Sequence, residues 1–255
     1  MNLLAASPEL YPQKLDLAQQ RVLMIRMTEH VYRAASFLDD RMLSAETTGH
    51  WVALEAVLTL AWQVHAKPIH FIFHTGHVGS TLLSRLLDEA ANVLPLREPL
   101  PLRTLAEAFD TPRPNLLHDR AFEAFLNLWS RGYANTDAVV LKTTSNTARI
   151  GARLLEARPN AQAVYLSLAA TASVETLLSG QSSRVDMNVW GGERFDRLKA
   201  ILRDSEIAKP QTLGELAAMT WLAERLTQQD LSMRFGERIL LIDFEDFLDD
   251  MRPHL

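Results

Sequence analysis

The segment at residues 69–91 constrains the fold of this chain more than any other. IHFIF, at residues 69–73, is a short apolar run rich in β-branched and aromatic residues, which predicts a buried strand. Two glycines, Gly76 and Gly79, then interrupt the chain, and apolar residues at helical spacing follow from Leu82 onward. The sequence therefore predicts a strand, a glycine-containing loop and a helix over residues 80–91 in immediate succession.

Three later apolar runs predict further strands, at residues 138–142, 162–168 and 238–244. Each run is almost continuously apolar, as is typical of parallel strands that are buried on both faces. Helical spacing lies between these runs, at residues 119–129, 146–156 and 213–228. Alternating strands and helices predict an α/β fold, in which layers of helices flank a parallel sheet.

The first part of the chain has a different pattern. Over residues 14–44, apolar residues alternate with charged ones at a spacing that predicts one long or two shorter amphipathic helices, and residues 51–64 predict another. Lys67 and Pro68 end this region. We therefore expect a helical N-terminal extension at residues 1–66 and an α/β domain at residues 67–255.

The loop at residues 76–81, Gly76-His77-Val78-Gly79-Ser80-Thr81, is a candidate anion site. Free backbone N–H groups and the helix dipole converge at a helix N-terminus, and glycines allow a ligand to approach the backbone closely. The hydroxyl groups of Ser80 and Thr81 would add donors. The alternative is an ordinary strand-to-helix turn, in which Ser80 or Thr81 is only an N-cap.

A nucleotide-hydrolase loop requires a lysine directly after its second glycine, and this chain has Ser80 there. The segment from Gly76 to Leu82 instead resembles the 5′-phosphosulfate loop of the sulfotransferases. His77 stands where that family has a cation, and Gly76 where it has a proline. The resemblance implies a P-loop fold and a phosphosulfate bound at residues 76–81.

Two further segments extend the resemblance, which covers about residues 68–250. Glu98, in Leu94-Pro95-Leu96-Arg97-Glu98-Pro99, is similar in position to the family's glutamate base, which takes the proton of an acceptor hydroxyl. Lys142, at the end of AVVLK, is similar to the lysine that stabilises the leaving phosphate, a role that His77 would share. The alternatives are a surface turn residue at Glu98 and a solvated cation at Lys142.

A fourth segment, QAVYLSLAATASVETLLSG, is similar to the strand and helix that bind the donor's 3′-phosphate in the family. In that register Thr176 keeps the family's hydroxyl, but Leu168 and Gly180 replace its two arginines. Arg184 lies near enough in sequence to substitute for one of them, and the alternative is an exposed loop arginine. The loss of two charged hydrogen bonds predicts phosphate binding that is weaker by roughly 10²- to 10⁴-fold.

Composition excludes several classes of partner and site. The formal net charge is −5 and no run of basic residues is present, so we expect no nucleic-acid partner. The chain has no cysteine, no uncharged apolar segment of membrane-spanning length and no basic leader, which together predict a cytoplasmic protein without a membrane anchor. His70 and His74 would lie about 13 Å apart along a strand, which opposes a zinc site with His77.

The resemblance implies transfer of a sulfuryl group from 3′-phosphoadenosine 5′-phosphosulfate to a hydroxyl acceptor, either a small molecule or a peptide, without a metal. Two alternatives stay open. One is a nucleotide hydrolase or kinase with an atypical loop, in which Asp243 would hold Mg²⁺. The other is a non-catalytic protein that keeps the fold and has lost donor affinity at Leu168 and Gly180.

Overall fold

The computed structural model describes residues 7–90, 92–110, 115–203 and 206–249. Eight strands within these ranges form two sheets. The strands are β1 (Leu10–Asp16), β2 (Arg21–Arg26), β3 (Gly49–Ala53), β4 (Ile69–His74), β5 (Val93–Arg97), β6 (Ala138–Lys142), β7 (Ala163–Ser167) and β8 (Ile239–Asp243). Residues 1–6, 91 and 250–255, which fall in segments predicted above, lie outside the described ranges.

Ten α-helices and three short 3₁₀ turns complete the described ranges. The helices are α1 (Glu29–Ala34), α2 (Leu54–Ala61), α3 (Ser80–Ala90), α4 (Leu100–Phe109), α5 (Leu116–Trp129), α6 (Gly151–Ala157), α7 (Ala170–Ser179), α8 (Gln181–Leu202), α9 (Leu213–Phe235) and α10 (Phe244–Asp249). The 3₁₀ turns cover Asp40–Met42, Asn146–Ile150 and Gly236–Arg238.

The larger sheet has five strands in the order β5-β6-β4-β7-β8, so the first predicted strand, β4, is its central one. β6 pairs in parallel with both β4 and β5, and β7 pairs in parallel with β8. Helices connect these strands, as parallel pairing requires. The predicted α/β class, a parallel sheet flanked by helices, is confirmed.

The chain divides into two compact units. The first contains residues 1–72, 81–143 and 153–161, and the second contains residues 73–80, 144–152 and 162–255. In the first unit, α2 packs on α5 and α4 packs on β1; in the second, α9 packs on α7 and α8. Because each unit contains segments that are distant in sequence, the predicted boundary between residues 66 and 67 stays a prediction.

The predicted helical character of the N-terminal extension is wrong for most of its described residues. β1, β2 and β3 form an antiparallel sheet, and α1 and α2 are short. Tyr11, Gln13 and Leu15 are buried at every second position, which is the period of a strand, and Pro12 is also buried where the pairing with β2 is irregular.

The turn between β1 and β2 explains why the strands were missed. Residues 17–20 contain none of the glycine, proline, asparagine or aspartate residues that mark hairpins in a sequence. Asp16 closes this turn instead, because its carboxylate accepts the Gln19 N–H at 2.9 Å and pairs with Arg21 Nε at 3.1 Å.

The prediction that the last strand is buried on both faces is also wrong. β8 lies at the edge of the sheet, and its neighbouring residues Leu240 and Leu241 are 50% and 49% exposed. Since successive side chains of a strand point to opposite faces, neither face of β8 is fully covered.

Across the ranges described above, no helix combines the length and the apolar character that crossing a membrane requires.

Candidate functional site

The loop that follows β4 contains three residues in the left-handed region. Gly76 has φ of 100°, His77 has 53° and Gly79 has 67°. Glycine adopts this region without cost, whereas a residue with a Cβ pays about 1–2 kcal/mol. His77 is therefore held in a strained conformation, a feature that clusters at binding sites.

The two glycines are required for different reasons. A Cβ on Gly79 would lie 2.0 Å from the Phe244 ring, so the ring packs directly on the backbone of this residue. A Cβ on Gly76 would lie 3.4 Å from Ser145 Oγ, which is nearly ordinary contact, so its backbone angle is the main constraint. Neither glycine places a side chain over the loop N–H groups, as anion binding by backbone donors requires, and one side of Gly79 is covered by the Phe244 ring.

The loop is fixed to the end of its own strand. The Thr75 N–H donates to the Leu166 carbonyl at 3.1 Å, and the Gly76 N–H donates to His74 Nδ1 at 3.1 Å. His74 is buried and acts here as an acceptor for the loop backbone. This contact gives the histidine a structural function that the sequence did not reveal.

The remaining loop residues lie as follows. His77 is exposed, and its Nε2 is 3.0 Å from the hydroxyl of the buried residue Ser183 on α8. Val78 is fully buried, so its side chain is not available to a ligand. Ser80 is buried and Thr81 is half-buried in the first turn of α3. An imidazole and two hydroxyls thus accompany the loop backbone.

Glu98 and Lys142 are brought together in the first unit. Lys142 Nζ donates to Glu98 Oε1, and the Glu98 N–H donates to the Lys142 carbonyl at 2.8 Å. The strand register explains the contact, because Arg97 at the end of β5 pairs with Lys142 at the end of β6. Glu98 itself has φ of 57°, so it is the second predicted site residue other than glycine, after His77, in the left-handed region.

Arg41 completes this pair, and sequence reasoning missed it. Its Nη2 lies 3.4 Å from Glu98 Oε2, and its guanidinium donates to both carboxylate oxygens of Asp39. The guanidinium also stacks on the Phe37 ring, 3.5 Å from the ring centre. Arg41, Asp39 and Phe37 lie far from Glu98 in the sequence and form no motif.

The electrostatics of this cluster depend on burial. The Lys142 side chain is 1% exposed and that of Glu98 is 11% exposed. Burial lowers the pKa of the Lys142 ammonium from its usual value, and the charge of Glu98 opposes that shift only in part. Lys142 is therefore a buried cation that depends on one carboxylate, rather than the solvated cation of the alternative interpretation.

The polar groups predicted for the 3′-phosphate have hydrogen-bond partners within the protein. The Thr176 hydroxyl donates to the Ala172 carbonyl at 2.8 Å, and the Arg184 guanidinium donates to the Leu178 carbonyl at 2.6 and 2.9 Å. Leu168 is buried, and its carbonyl accepts the Trp221 indole N–H at 3.0 Å. The side chains of Thr176 and Arg184 thus both donate to backbone carbonyls of α7.

Asp243, the candidate Mg²⁺ ligand of the hydrolase alternative, lies at the end of β8. Its Oδ1 accepts the Glu245 N–H at 2.9 Å, so the carboxylate caps the start of α10. Within the described ranges, no three histidine or carboxylate side chains are grouped closely enough to bind a metal ion.

A buried ion cluster joins α8 to α9 in the second unit, and the sequence analysis missed it. Arg194 Nε donates to Glu224 Oε1 at 2.9 Å, and Arg197 Nη2 reaches the same oxygen at 3.0 Å. The side chains of Glu224 and Arg194 are 0% and 1% exposed. Burial raises the pKa of the Glu224 carboxyl, but the charges of Arg197 and Arg194 outweigh burial and hold it below its usual value.

Comparisons with known proteins add little to this description. No family model and no curated protein matches the chain. Among solved structures, a sulfotransferase domain from the curacin biosynthetic pathway covers 74% of this chain and 71% of its own length, with 16% sequence identity and a TM-score of 0.36. A match at this level carries no argument, so the conclusions below depend on the residues of this chain.

Proposed function

We propose that this chain is a sulfotransferase-like protein that transfers a sulfuryl group from 3′-phosphoadenosine 5′-phosphosulfate to a hydroxyl group of a small molecule or a peptide. In this proposal the loop at residues 76–81 binds the phosphosulfate. Glu98 is the base, and Lys142 stabilises the leaving phosphate together with His77.

The loop conformation is the observation that carries the proposal. Gly76, His77 and Gly79 are all left-handed between the central strand and the following helix, and the Phe244 ring excludes any side chain at Gly79. The turn residue Gln20 is left-handed as well, so the argument depends on three left-handed residues within four positions, directly before a helix N-terminus. This conformation suits a negatively charged group held by backbone N–H donors.

The Glu98–Lys142 pair supplies the second argument. In the proposed step the acceptor oxygen attacks sulfur while the bond between sulfur and the 5′-phosphate oxygen breaks, and its electron pair leaves with the phosphate. The acceptor's proton passes to the Glu98 carboxylate. Once protonated, Glu98 no longer neutralises Lys142, so the full ammonium charge becomes available as the leaving phosphate gains negative charge.

The predicted 3′-phosphate residues fit that group poorly as they lie. Leu168 and Gly180 offer no cation, and the polar groups of Thr176 and Arg184 donate to backbone carbonyls of α7. This observation favours a second candidate function, a protein that binds an anionic ligand at the loop without transferring a sulfuryl group. The two candidates differ in turnover, not in the loop.

The decisive experiment is a transfer assay with sulfur-labelled donor and a panel of hydroxyl acceptors, beside calorimetry with 3′-phosphoadenosine 5′-phosphate. We expect micromolar binding of the bisphosphate and label transfer that falls at least 10²-fold in Glu98→Gln and in Lys142→Met. Glu237→Gln, which changes an exposed glutamate of a 3₁₀ turn, is the matched control and should retain full activity.

Three results would separate the candidates. Bisphosphate binding without transfer to any acceptor favours the non-catalytic candidate. Turnover of ATP or GTP that requires Mg²⁺ favours the hydrolase alternative. Transfer that survives both Glu98→Gln and Lys142→Met removes these residues from the chemistry.

A further inference from the structure

Buried polar groups without hydrogen-bond partners lie in the segments that meet at the loop. The Asn146 side chain is 2% exposed as a residue, and neither its amide nitrogen nor its amide oxygen has a hydrogen-bond partner among the described residues. Thr75 is also 2% exposed, and its hydroxyl has no hydrogen-bond partner among the described residues. Buried polar groups are nearly always hydrogen-bonded. A buried amide without a protein partner therefore indicates that a bound molecule or ion supplies its hydrogen bonds.

Their place relative to the loop follows from one contact. Ser145 Oγ lies 3.4 Å from the point where a Cβ of Gly76 would be, so Ser145 packs on the loop backbone. Thr75 precedes Gly76 and Asn146 follows Ser145, and consecutive Cα atoms are about 3.8 Å apart. The two residues that carry the unpartnered groups, Thr75 and Asn146, are therefore the immediate neighbours of Gly76 and Ser145, which are in contact.

Arg194 brings a positive charge to the same place. Its residue is 1% exposed, and its Nη2 donates to Ser145 Oγ at 3.4 Å. Its Nη1 forms an ion pair with Asp186 Oδ2 at 2.9 Å, although the angle lies outside the geometric limits of a hydrogen bond. The contact is therefore a charge pairing rather than an aligned hydrogen bond.

We propose that Asn146 and Arg194 are ligand-binding residues of the loop, and that they receive an oxygen of the sulfate or phosphate group that the loop backbone holds. The inference rests on the proposed function and adds the cation that the loop sequence lacks. Arg194, which lies on α8, would supply the positive charge of the missing loop lysine. It contacts Ser145, which is 49 residues away in the sequence.

The chemistry of the groups selects an anion. The Arg194 guanidinium has donors only, the Asn146 amide has two donors beside its acceptor oxygen, and the hydroxyls of Thr75 and Ser145 can donate as well. Asp186 is the one carboxylate near Arg194 Nη1 in the described contacts, and its side chain is 32% exposed. A bound oxyanion can take over that Nη1 while Asp186 turns to solvent, and Glu224 continues to hold Arg194 through Nε.

The test uses Asn146→Leu, which replaces the amide with an apolar group of similar size. Calorimetry with sodium sulfate and with 3′-phosphoadenosine 5′-phosphate should show binding weakened about 10- to 100-fold, as expected for the loss of a hydrogen bond to a charged group. The thermal midpoint without ligand should stay unchanged or rise, because the variant removes a buried polar group that has no protein partner.

Thr220→Val is the matched control. The Thr220 hydroxyl on α9 is also buried and unpartnered among the described residues, but no described contact joins it to the loop. This variant should leave both affinities unchanged. Arg194→Lys is a second test, which keeps a positive charge beside Glu224 but loses the planar donor set; it should weaken binding about 10-fold or more.

The outcomes separate this inference from the proposed function. If the natural protein binds the anions and Asn146→Leu and Arg194→Lys bind them equally well, the two residues are not part of the site. If the natural protein binds sulfate and Asn146→Leu abolishes that binding, the inference stands even when no sulfuryl transfer is found. If the natural protein binds neither probe at millimolar concentration, both the inference and the proposed function are overturned.

Discussion

Glu98 and Lys142 form two hydrogen bonds with each other, one between their side chains and one between their backbones. The Lys142 ammonium donates to the Glu98 carboxylate, and the Lys142 carbonyl accepts the Glu98 N–H at 2.8 Å. This double contact joins the ends of β5 and β6 and keeps Glu98 in its left-handed conformation. The same pair therefore contributes to folding and, in the proposed function, to proton transfer.

The first prediction is that removing Glu98 costs more stability than removing the Lys142 ammonium. Glu98→Ala should lower the free energy of unfolding by about 3–5 kcal/mol, because it leaves the buried Lys142 ammonium without its carboxylate. Lys142→Met should cost less, about 1–2 kcal/mol, since Glu98 is partly exposed and keeps Arg41 nearby. Urea denaturation of both variants measures the difference.

The double variant Glu98→Ala/Lys142→Met provides the control for that comparison. Its loss of stability should be smaller than the sum of the two single losses, because no charge is left buried and unpaired. Strict additivity would mean that the ion pair makes no contribution of its own.

The second prediction is a pH dependence that originates at Glu224. Its pKa is held below the usual value by Arg197 and Arg194, so its contribution to stability is fully present above about pH 4.5 and is lost as the pH falls through the lowered folded value. At pH 7, Glu224→Gln should be less stable than the natural protein by about 3–5 kcal/mol. The difference should narrow progressively below pH 4.5.

Urea denaturation at several pH values between about 2.5 and 7 measures how the stability difference narrows, because this range includes the pH values at which Glu224 is expected to lose its contribution. Glu237→Gln, which changes an exposed glutamate of a 3₁₀ turn, serves as the control substitution. A Glu224→Gln difference that stays constant across the range would show that the carboxylate has the same pKa in both states.

The fold was predictable where local pattern and tertiary environment agree. β4, β6 and β7 are apolar runs that are buried in a sheet, and their patterns reported that burial directly. β1 and β2 were not recognised, because their turn lacks hairpin residues and Gln20 adopts φ of 48° there without glycine. Contacts of Asp16 with Gln19 and Arg21 close that turn, and no hairpin rule predicts them from the sequence.

The candidate site was predictable only in part, for a similar reason. Gly76, Glu98 and Lys142 each follow a strand, so the rule that ligands bind at the carboxyl ends of parallel strands could find them. Arg41 reaches Glu98 across 57 residues of sequence, and Arg194 reaches Ser145 across 49. No spacing rule connects such pairs, since only the packing of their elements brings them into contact.

The third prediction separates the two constraints on Gly79. Gly79→Ala should lower the free energy of unfolding by about 2–4 kcal/mol, because the new methyl group overlaps the Phe244 ring and the residue has φ of 67°. Gly192→Ala is the matched control. Gly192 lies inside α8, and a Cβ added there would meet nothing within 4 Å, so alanine should stabilise by about 0.4–1 kcal/mol.

Adding Phe244→Ala to Gly79→Ala tests the overlap itself. Measured against Phe244→Ala alone, Gly79→Ala should lower the free energy of unfolding only by the cost of the left-handed conformation, about 1–2 kcal/mol. No recovery in thermal or chemical denaturation would mean that the backbone angle alone excludes alanine at this position.

The fourth prediction separates the backbone of His77 from its side chain. His77→Gly should be more stable than His77→Ala by about 1 kcal/mol, because glycine adopts φ of 53° without strain whereas alanine keeps the penalty. Both variants lose the imidazole and its contact with Ser183. If the imidazole binds the anion, both should weaken binding of 3′-phosphoadenosine 5′-phosphate by about 10-fold, as expected for one hydrogen bond to a charged group.

Calorimetry and urea denaturation on the same two preparations distinguish the possible functions of the residue. Equal weakening of binding, with unequal stability, assigns the affinity to the side chain and the strain to the backbone. Weakening in His77→Gly alone would show instead that the loop must be rigid to bind, since glycine relaxes the backbone that the histidine holds. Unchanged affinity in both variants would leave the bare loop backbone, with Asn146 and Arg194, as the source of anion binding.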